Sequence, residues 1–403
     1  MKNILLITPV YPTPNVKMKG TPVVHYFTRE WVKIGYRVLV CHCPANYPAI
    51  MRWIAKLFIG LLESRFNDYI PIHRLEESIT EYEGVQVCCI PLKKSRPHFR
   101  YNQSIIHKVS VKIKGICDLK MFTPDVIIGH WVIPSVDIMN ELKEYFKVPS
   151  CLVLHSGGGD ILKTYGNQTS IVLNNIDVFG FRSKVLRERF EALYGPVTKG
   201  FYCYSGVPKT FFDDLVIKRD YTNVNSFIYV GMLIQRKHPF EVLNALSKSG
   251  LEDFSLKYIG EGDESSRIKA FIPELEKMKK HGSVTLLGHI PREKIKQHLL
   301  ESDVFVMISK KEVFGLVYLE AMATGCITVA SRYEGFDGII EDGVNGFLCE
   351  AGNSNELAQI IDRINNLTSE QRKIISENAI KTARSMTDEA VANNYINELL
   401  AFI

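Results

Sequence analysis

The sequence predicts an α/β protein with two doubly wound, Rossmann-like domains that face a cleft. The chain has 403 residues, which is too long for one ordinary core and suits two domains of about 200 residues each. In both halves, runs of β-branched residues alternate with Ala- and Leu-rich segments, as in parallel sheets covered by helices. The composition, 46% hydrophobic and 23% charged, is that of a globular protein.

The predicted elements follow this alternation along the whole chain. Buried strands are indicated by short Val-, Ile- and Leu-rich runs that end at Gly, Pro or polar residues. Such runs occupy residues 3–8, 36–43, 125–130, 151–154, 176–182, 227–230, 256–260, 284–288, 304–309 and 327–331. Segments of helical period occupy residues 23–34, 51–66, 315–324, 357–367, 371–387 and 389–403. The polar segment Lys218 to Ser226 is predicted to link the two domains.

Charge is unevenly distributed along the chain. Residues 1–205 contain 26 basic and 16 acidic residues, whereas residues 206–403 contain 23 and 28. A basic first half indicates an anionic partner such as nucleic acid, lipid headgroups or a phosphorylated acceptor. The opening apolar run is too short for a signal peptide, no later run is long enough to span a membrane, and the nine cysteines show no metal-site spacing. These features predict a cytoplasmic protein with free thiols, either unattached or bound to the inner face of the membrane.

One segment of the first half could lie on a membrane surface. Residues 51–66 place Trp53, Leu57 and Leu61 near one helical face, and the acid-free stretch Val85 to Cys117 adds seven basic residues. A basic amphipathic helix with a Trp can lie in the interface of an anionic bilayer. The alternative, a stripe that faces the protein core, is the commoner explanation of such a pattern.

The stretch from Asp303 to Ser331 predicts a strand, a polar loop, a helix and a second strand. Ligands bind at the carboxyl edge of such units, where the loop brings side chains and the helix brings unpaired N–H groups. Here the loop carries Glu312, and Glu320 follows in the second turn of the predicted helix.

This arrangement suits a nucleotide-diphosphate sugar. The N–H groups near Phe314, Gly315 and Leu316, together with the positive end of the helix dipole, would hold the diphosphate. Carboxylates accept hydrogen bonds from hydroxyls, so Glu312 and Glu320 are placed to bind the sugar and the ribose. The alternative is that both are ordinary solvated residues.

The segment Glu312-Val-Phe-Gly-Leu-Val-Tyr-Leu-Glu320 resembles the Glu-x7-Glu motif of the retaining glycosyltransferases of family 4, which have the GT-B fold. The following EGFDGIIEDGVNGFLCEAGNSNELAQII, residues 334–361, is similar to that family's continuation, and further matches reach back to the first strand. The resemblance implies an N-terminal acceptor-side domain over residues 1–205 and a C-terminal nucleotide-sugar-binding domain over residues 206–388. It also implies a terminal helix, residues 389–403, that returns to the first domain.

The resemblance further implies a donor site in the second domain. Gly231 opens the segment where the family usually has an Arg, here Met232, and a Lys, here Lys237; the two cations clamp the pyrophosphate. Arg236 could replace the missing Arg, although neighbouring residues usually point apart. Ile290 lies in the segment that contacts the base. Gly20 lies in the loop that closes over the phosphates in similar proteins, although a plain turn would also explain it.

In the first domain, His130 ends a predicted central strand, where ligand-facing groups belong in this architecture. A packed core His would explain the residues equally well, whereas the resemblance implies a hydrogen bond to the donor sugar. His155 and Asp160 flank three glycines in a loop similar to the family's His-Gly-Ser-Asp loop. That loop would face the acceptor or would be a plain connection.

These observations predict a retaining hexosyltransferase for cell-surface polysaccharide or glycolipid synthesis, with His130, Glu312, Arg236 and Lys237 as catalytic residues. Its partners would be a nucleotide-sugar donor and a glycan or lipid-linked acceptor, with no nucleic acid, no cofactor and no metal. Two alternatives remain at this point: a non-hydrolysing sugar-nucleotide epimerase, which shares the GT-B architecture, and a non-catalytic nucleotide-sugar-binding subunit.

Overall fold

The computed structural model describes residues 2–13, 21–57, 74–95, 99–213 and 219–403. The chain forms two compact units. The first contains Met1–Arg182, Leu186–Cys203 and Val391–Ile403, and the second contains Ser183–Val185 and Tyr204–Ala390. Residues 14–20, which include Gly20, lie outside the described residues, as do residues 58–73, which include the second part of the predicted amphipathic segment 51–66.

The first unit alternates strands with helices. Its strands are β1 (Asn3–Thr8), β2 (Arg37–His42), β3 (Ala45–Asn46), β4 (Ser78–Tyr82), β5 (Val85–Cys89), β6 (Leu92–Lys93), β7 (Val126–His130), β8 (Ser150–Leu154), β9 (Val178–Phe181) and β10 (Gly200–Tyr202). Its helices are α1 (Val23–Lys33), α2 (Ala49–Leu57), α3 (Gln103–Leu119), α4 (Ser135–Phe146), α5 (Gly159–Tyr165), α6 (Thr169–Asn174) and α7 (Lys184–Tyr194), of which α7 begins in the second unit.

Eight of these strands form one sheet in the order β10-β9-β8-β7-β1-β2-β5-β4, parallel throughout except for the pair β4 and β5. The central strand β1 is apolar on both faces, and its residues Ile4 to Ile7 are fully buried, because helices cover both sides of the sheet. In chain order, β2 and β5 are added on one side of β1, and β7 is then added on the other side of β1. This reversal makes the carboxyl ends of β1 and β7 the switch point of the sheet, where doubly wound folds bind ligands.

The C-terminal helix α14 (Asp388–Ala401) begins in the second unit and ends in the first. Its Tyr395 is fully buried and lies edge-on against Trp31 and Phe27 of α1, with ring centroids 4.8 and 5.2 Å away. The indole nitrogen of Trp31 donates to the carbonyl of Ala392 at 2.9 Å. Aromatic packing therefore holds residues 391–403 in the core of the first unit.

The second unit follows the same plan. Its strands are β11 (Ser226–Val230), β12 (Asp253–Ile259), β13 (His281–Leu286), β14 (Val304–Val306), β15 (Ile327–Ser331) and β16 (Phe347–Cys349). Its helices are α8 (Pro239–Lys248), α9 (Glu264–Lys277), α10 (Arg292–Leu300), α11 (Leu316–Ala323), α12 (Ser354–Asn366) and α13 (Ser369–Ser385). All six strands are parallel, in the order β13-β12-β11-β14-β15-β16.

The topology of this second sheet decides which loops meet. The chain adds β12 and β13 on one side of β11 and then crosses to place β14 on the other side. The loops that follow β11 and β14 therefore emerge next to each other at the switch point. The prediction of an α/β fold with a parallel sheet in each of two domains is confirmed.

The predicted interdomain linker, residues 218–226, was placed wrongly. Residues 219–226 lie inside the second unit, and the side chain of Arg219 is buried there. Its guanidinium donates to the carbonyls of Leu299 at 3.1 Å and Ser302 at 2.5 Å. Arg219 satisfies backbone acceptors inside the unit, a role that the sequence pattern cannot distinguish from solvation.

Candidate active site

The loop between β14 and α11 ends at Gly315. This residue has a φ of 83°, in the left-handed region, and a Cβ added to it would lie 2.4 Å from the Tyr318 ring. Tyr318 is itself fixed, because its hydroxyl donates to the carbonyl of Met307 at 2.6 Å and lies 3.1 Å from the Ser309 hydroxyl. No side chain caps the first turn of α11. Helix α11 therefore begins where the sequence predicts. A glycine is required at position 315 because the backbone is left-handed there and because a side chain would collide with the Tyr318 ring.

Glu312 lies in this loop and meets Lys237 from the neighbouring loop. The Lys237 ammonium is 3.3 Å from Glu312 Oε2, and the Ser309 hydroxyl donates to the same oxygen at 3.2 Å. The backbone N–H of Glu312 donates to Glu334 Oε2 at 3.0 Å. Both side chains of the ion pair are about 15% exposed, so they remain open to a ligand while the loop is held from several sides.

Phe314 and Leu316, the other predicted phosphate-contacting positions, flank Gly315. Phe314 is buried, and its ring packs against Tyr204 at 5.8 Å and Phe336 at 5.2 Å between centroids. Leu316 is the first residue of α11. The loop backbone therefore lies against an aromatic layer, which fixes where its N–H groups can point.

Glu320 is in the second turn of α11 and is almost fully buried, at 3% exposure. Its Oε1 accepts from Arg292 Nε at 2.6 Å, and Arg292 Nη2 lies 2.5 Å from the same oxygen. Arg292 is the first residue of α10 and follows the segment that contains Ile290, the predicted base contact. A buried carboxylate needs such a partner, because desolvation without one is costly.

The loop after β11 carries two cations, Lys237 and Arg236, which differ in their partners. Lys237 ends a short 3₁₀ turn, Gln235–Lys237, and reaches Glu312. Arg236 is half-buried, and within the described residues its Nε has no hydrogen-bond partner. Met232, at the position of the missing Arg, is 48% exposed, and Gly231 follows directly after β11. Whether Arg236 replaces that Arg stays a prediction.

His130, at the end of β7, is fully buried. Its Nδ1 lies 3.0 Å from His155 Nε2, and its Nε2 lies 3.3 Å from the Tyr395 hydroxyl. Burial, and to a lesser degree the charge of Arg182, holds the pKa of His130 well below its usual range. Burial likewise holds the pKa of His155 well below its usual range. In the contact between the two rings one nitrogen donates and the other accepts, and the catalytic role predicted for His130 stays a prediction.

Two of the three glycines between His155 and Asp160, Gly157 and Gly158, are packed closely against a helix. Cβ atoms added at Gly157 and Gly158 would lie 2.8 Å from Arg189 and 2.7 Å from Phe190, both on α7. Asp160 is exposed in the first turn of α5 and accepts from the Ser156 hydroxyl at 2.6 Å. The backbone of this loop is thus fixed against a helix, and the acceptor-side roles of His155 and Asp160 are untested.

A buried histidine makes the first unit sensitive to acid. His42 is 3% exposed, and burial lowers its pKa from 6.5 to about 4. The unfolded chain binds this proton first, so the stability contributed by neutral His42 is present above pH 6.5 and is lost as the pH falls towards 4. The loss at pH 5 should be about 2 kcal/mol. We therefore expect the difference in unfolding free energy between pH 7 and pH 5 to shrink by about this amount in His42→Gln, measured by urea titration.

The control for this prediction is His281→Gln, because His281 is exposed on β13. It should keep the pH dependence of the unsubstituted protein. An unchanged pH dependence in His42→Gln would contradict the expectation.

Several contacts of the site were not predicted from the sequence. Ser309 and Glu334 hold the Glu312 loop, Arg292 pairs with Glu320, and Tyr395 contacts His130. The partners of these pairs lie up to 265 positions apart, and no period in the sequence connects them. Glu334 opens the recognised downstream segment, which was the one signal available.

Two further properties concern metal binding and membrane contact. The described residues contain no group of three or more His, Cys, Asp or Glu side chains arranged to hold a metal ion. Within the same residues, no helix combines the length and apolar character needed to cross a bilayer. The exposed apolar residues of α2, including Trp53 at 62% and Leu57 at 57%, do not face a core; their contact with a membrane stays a prediction.

Known proteins that are similar to this chain are glycosyltransferases. Residues 214–382 match the model of the family described as glycosyl transferases group 1. An uncharacterized glycosyltransferase of Methanocaldococcus jannaschii is 27% identical over 315 residues, covering 77% of this chain and 83% of that protein. The putative teichuronic acid biosynthesis glycosyltransferase TuaC of Bacillus subtilis is 25% identical over 338 residues, covering 79% and 78%. The crystal structure of Anabaena HepE in complex with UDP and glucose has a TM-score of 0.65 at 17% identity over the full length of both chains.

The two units with parallel sheets have the fold of GT-B glycosyltransferases of known structure. In sequence, residues 214–382 are similar to the group 1 glycosyltransferases, and one similar protein, TuaC, is named for teichuronic acid biosynthesis.

Proposed function

We propose that this protein is a retaining glycosyltransferase of family 4 that transfers a hexosyl group from a nucleotide-diphosphate sugar to a glycan or lipid-linked acceptor. One observation carries the proposal: Lys237 and Glu312 meet at 3.3 Å at the switch point of the second sheet, beside the left-handed Gly315 that opens α11. At this sheet edge a cation and the start of a helix suit the diphosphate of the donor, and a carboxylate suits its sugar hydroxyls.

The cations would act on the diphosphate. Lys237 and the N–H groups at the start of α11 stabilise the negative charge that grows on the departing phosphate, and Arg236 adds a second cation from the same loop. Together they perform the charge neutralisation that a divalent ion would otherwise supply. The reaction is therefore proposed to need no metal, and full activity in EDTA is the expected result.

The carboxylates would act on hydroxyls. When a diphosphate competes for Lys237, the Glu312 carboxylate becomes available to accept from a sugar hydroxyl. Glu320 uses Oε1 for Arg292, which leaves Oε2 to accept from the ribose. Arg292 is then a positioning residue, since it holds Glu320 without contacting the donor.

Transfer with retention is proposed to occur on the front face of the sugar. The acceptor oxygen forms a bond to the anomeric carbon on the side from which the phosphate oxygen leaves. The acceptor proton passes to a leaving phosphate oxygen, so that the products are the glycoside and the nucleoside diphosphate. His130 and the acceptor-side residues His155 and Asp160 would orient the substrates for this step.

A screen of UDP, GDP and ADP sugars tests the donor. A true donor at 100 times its dissociation constant should raise the unfolding free energy by about 2.7 kcal/mol, measured by thermal shift. With that donor, NMR of the product should show the same anomeric configuration as the donor. An inverted product would overturn the retaining mechanism, and the absence of stabilisation by every nucleotide sugar would overturn donor binding.

The two alternative functions predict other results. An epimerase would convert UDP-GlcNAc without an acceptor, whereas a glycosyltransferase would leave its configuration at C2 unchanged. A non-catalytic subunit would bind the donor without turnover. The match of residues 214–382 to group 1 glycosyltransferases favours transfer over both alternatives.

A further inference from the structure

A cavity of about 610 Å³ lies in the first unit, away from the residues discussed above. Three segments and Arg74, which precedes β4, line it; the segments are the start of α2 with the residues before it, the end of β6 with the residues after it, and the start of α3 with the residues before it. The first two segments follow β2 and β5, so the cavity opens at the carboxyl edge of the sheet, as ligand sites in doubly wound folds do. Its volume is in the range of small-molecule sites.

The lining of this cavity carries a single sign of charge. Its described lining residues include five cations and no carboxylate; the cations are Arg52, Arg74, Lys93, Lys94 and Arg100. Gathering like charges around a concave surface raises the local positive potential and favours an anion inside it.

Among the described residues, these cations differ in whether a carboxylate faces them. Arg100 pairs with Asp137 at 2.8 Å, which keeps it in place and raises its pKa. Arg52 donates to neutral acceptors, Asn46 Oδ1 at 3.4 Å and the carbonyl of Tyr47. Arg52, Arg74 and Lys93 have no carboxylate partner within the part of the chain that the structure describes.

The cavity also has an apolar side. Tyr47, Phe99, Tyr101 and Ile105 line it, and Lys94 lies 4.8 Å from the centroid of the Tyr101 ring. The helix that supplies Arg52, α2, exposes Ile50 and Trp53, at 67% and 62%. The site thus combines anion binding with an apolar wall and a neighbouring exposed apolar face.

We propose that this cavity binds a phosphate ester whose organic part contacts the aromatic wall, and that this ester is the acceptor substrate. The acceptor role rests on the proposed function, whereas phosphate binding does not. The cations Arg52, Arg74 and Lys93 favour a phosphate over a neutral glycan end, because an ammonium or guanidinium forms charge-assisted hydrogen bonds with phosphate oxygens. A lipid-linked phosphate and a soluble sugar phosphate share this chemistry.

The test compares two double variants of equal charge. Arg74→Gln with Lys93→Gln removes two exposed cavity cations, and Lys108→Gln with Lys163→Gln removes two exposed lysines of the first unit that do not line the cavity. Calorimetry would measure binding of farnesyl phosphate, glucose 6-phosphate and farnesol, with no donor present. We expect the dissociation constant of a phosphate ester to rise at least about tenfold in the cavity variant and by less than twofold in the control.

The probes also identify the source of the phosphate. Tighter binding of farnesyl phosphate than of glucose 6-phosphate supports a lipid-linked ester, and the reverse order supports a soluble one. Equal affinity of the two variants for both esters, binding of farnesol as tight as that of farnesyl phosphate, or no binding to the unsubstituted protein would overturn the site. Phosphate binding at the donor site contributes equally to both variants. Stabilisation by nucleotide sugars, measured separately, would be unaffected by failure of this inference.

Discussion

Replacing Lys237 with methionine should lower turnover of the donor by about 100-fold, because one preorganised donor to the departing diphosphate is lost. Methionine keeps most of the side-chain volume, so the loop after β11 should retain its packing. Turnover is measured as release of the nucleoside diphosphate, with water or the acceptor as the second substrate. The matched control is Lys269→Met on α9, an exposed lysine, which should keep normal turnover.

A double variant separates the chemical role of Lys237 from its structural one. Lys237→Met leaves the partly buried Glu312 carboxylate without its cation, at a cost in stability of about 1 kcal/mol. Adding Glu312→Gln removes that unpaired charge and should restore stability. Because Glu312→Gln also removes a proposed contact with the sugar, the single variant Glu312→Gln sets the reference for turnover, and the double variant should turn over more slowly than it does. Equal turnover of these two variants would show that Lys237 only holds the loop, which contradicts its proposed contact with the diphosphate.

Gly315→Ala should destabilise the second unit by about 3 kcal/mol and weaken donor binding. A left-handed conformation costs a non-glycine residue about 1 to 2 kcal/mol, and overpacking adds a similar amount. The added methyl group would lie 2.4 Å from a Tyr318 ring that two hydrogen-bond partners hold in place. Urea unfolding measures the loss, and thermal shift with the donor measures the effect on binding.

Gly195→Ala is the matched control for this prediction. Gly195 has a φ of 87°, close to that of Gly315, but a Cβ there meets no atom within 4 Å. It should therefore lose only the conformational part, about 1 kcal/mol. If the two variants lose equal stability, the contact with Tyr318 does not constrain the helix start.

Local patterns predicted the central strands of both sheets, but not helices such as α3 and α4. The strand predicted for residues 3–8 is β1, and the helix predicted for residues 315–324 is α11 with one residue fewer at each end. Fully buried parallel strands are continuous apolar runs, and a glycine before an Ala- and Leu-rich segment marks a helix start, so both can be identified within a few residues. The strand predicted over residues 304–309 is shorter, Val304–Val306, because the chain leaves the sheet to form the Glu312 loop.

Local patterns failed where a residue's role depends on a distant partner. The polar segment 218–226 was predicted as a linker, yet Arg219 binds carbonyls some 80 positions away. His130 was equally compatible with a core position, and only the structure shows that His155 and Tyr395 contact its two ring nitrogens. The residues next to Arg219 and His130 in the sequence do not indicate these distant partners.

By itself, the sequence determined the α/β class, the parallel strands and the candidate residues Glu312, Glu320 and Lys237, because hydrophobic period and motif chemistry are local properties. Only the tertiary structure decided that Lys237 meets Glu312 and that Glu320 is paired with Arg292. The physical reason is the order of the strands: the crossing from β13 to β14 places two loops side by side that are about 75 residues apart in the chain.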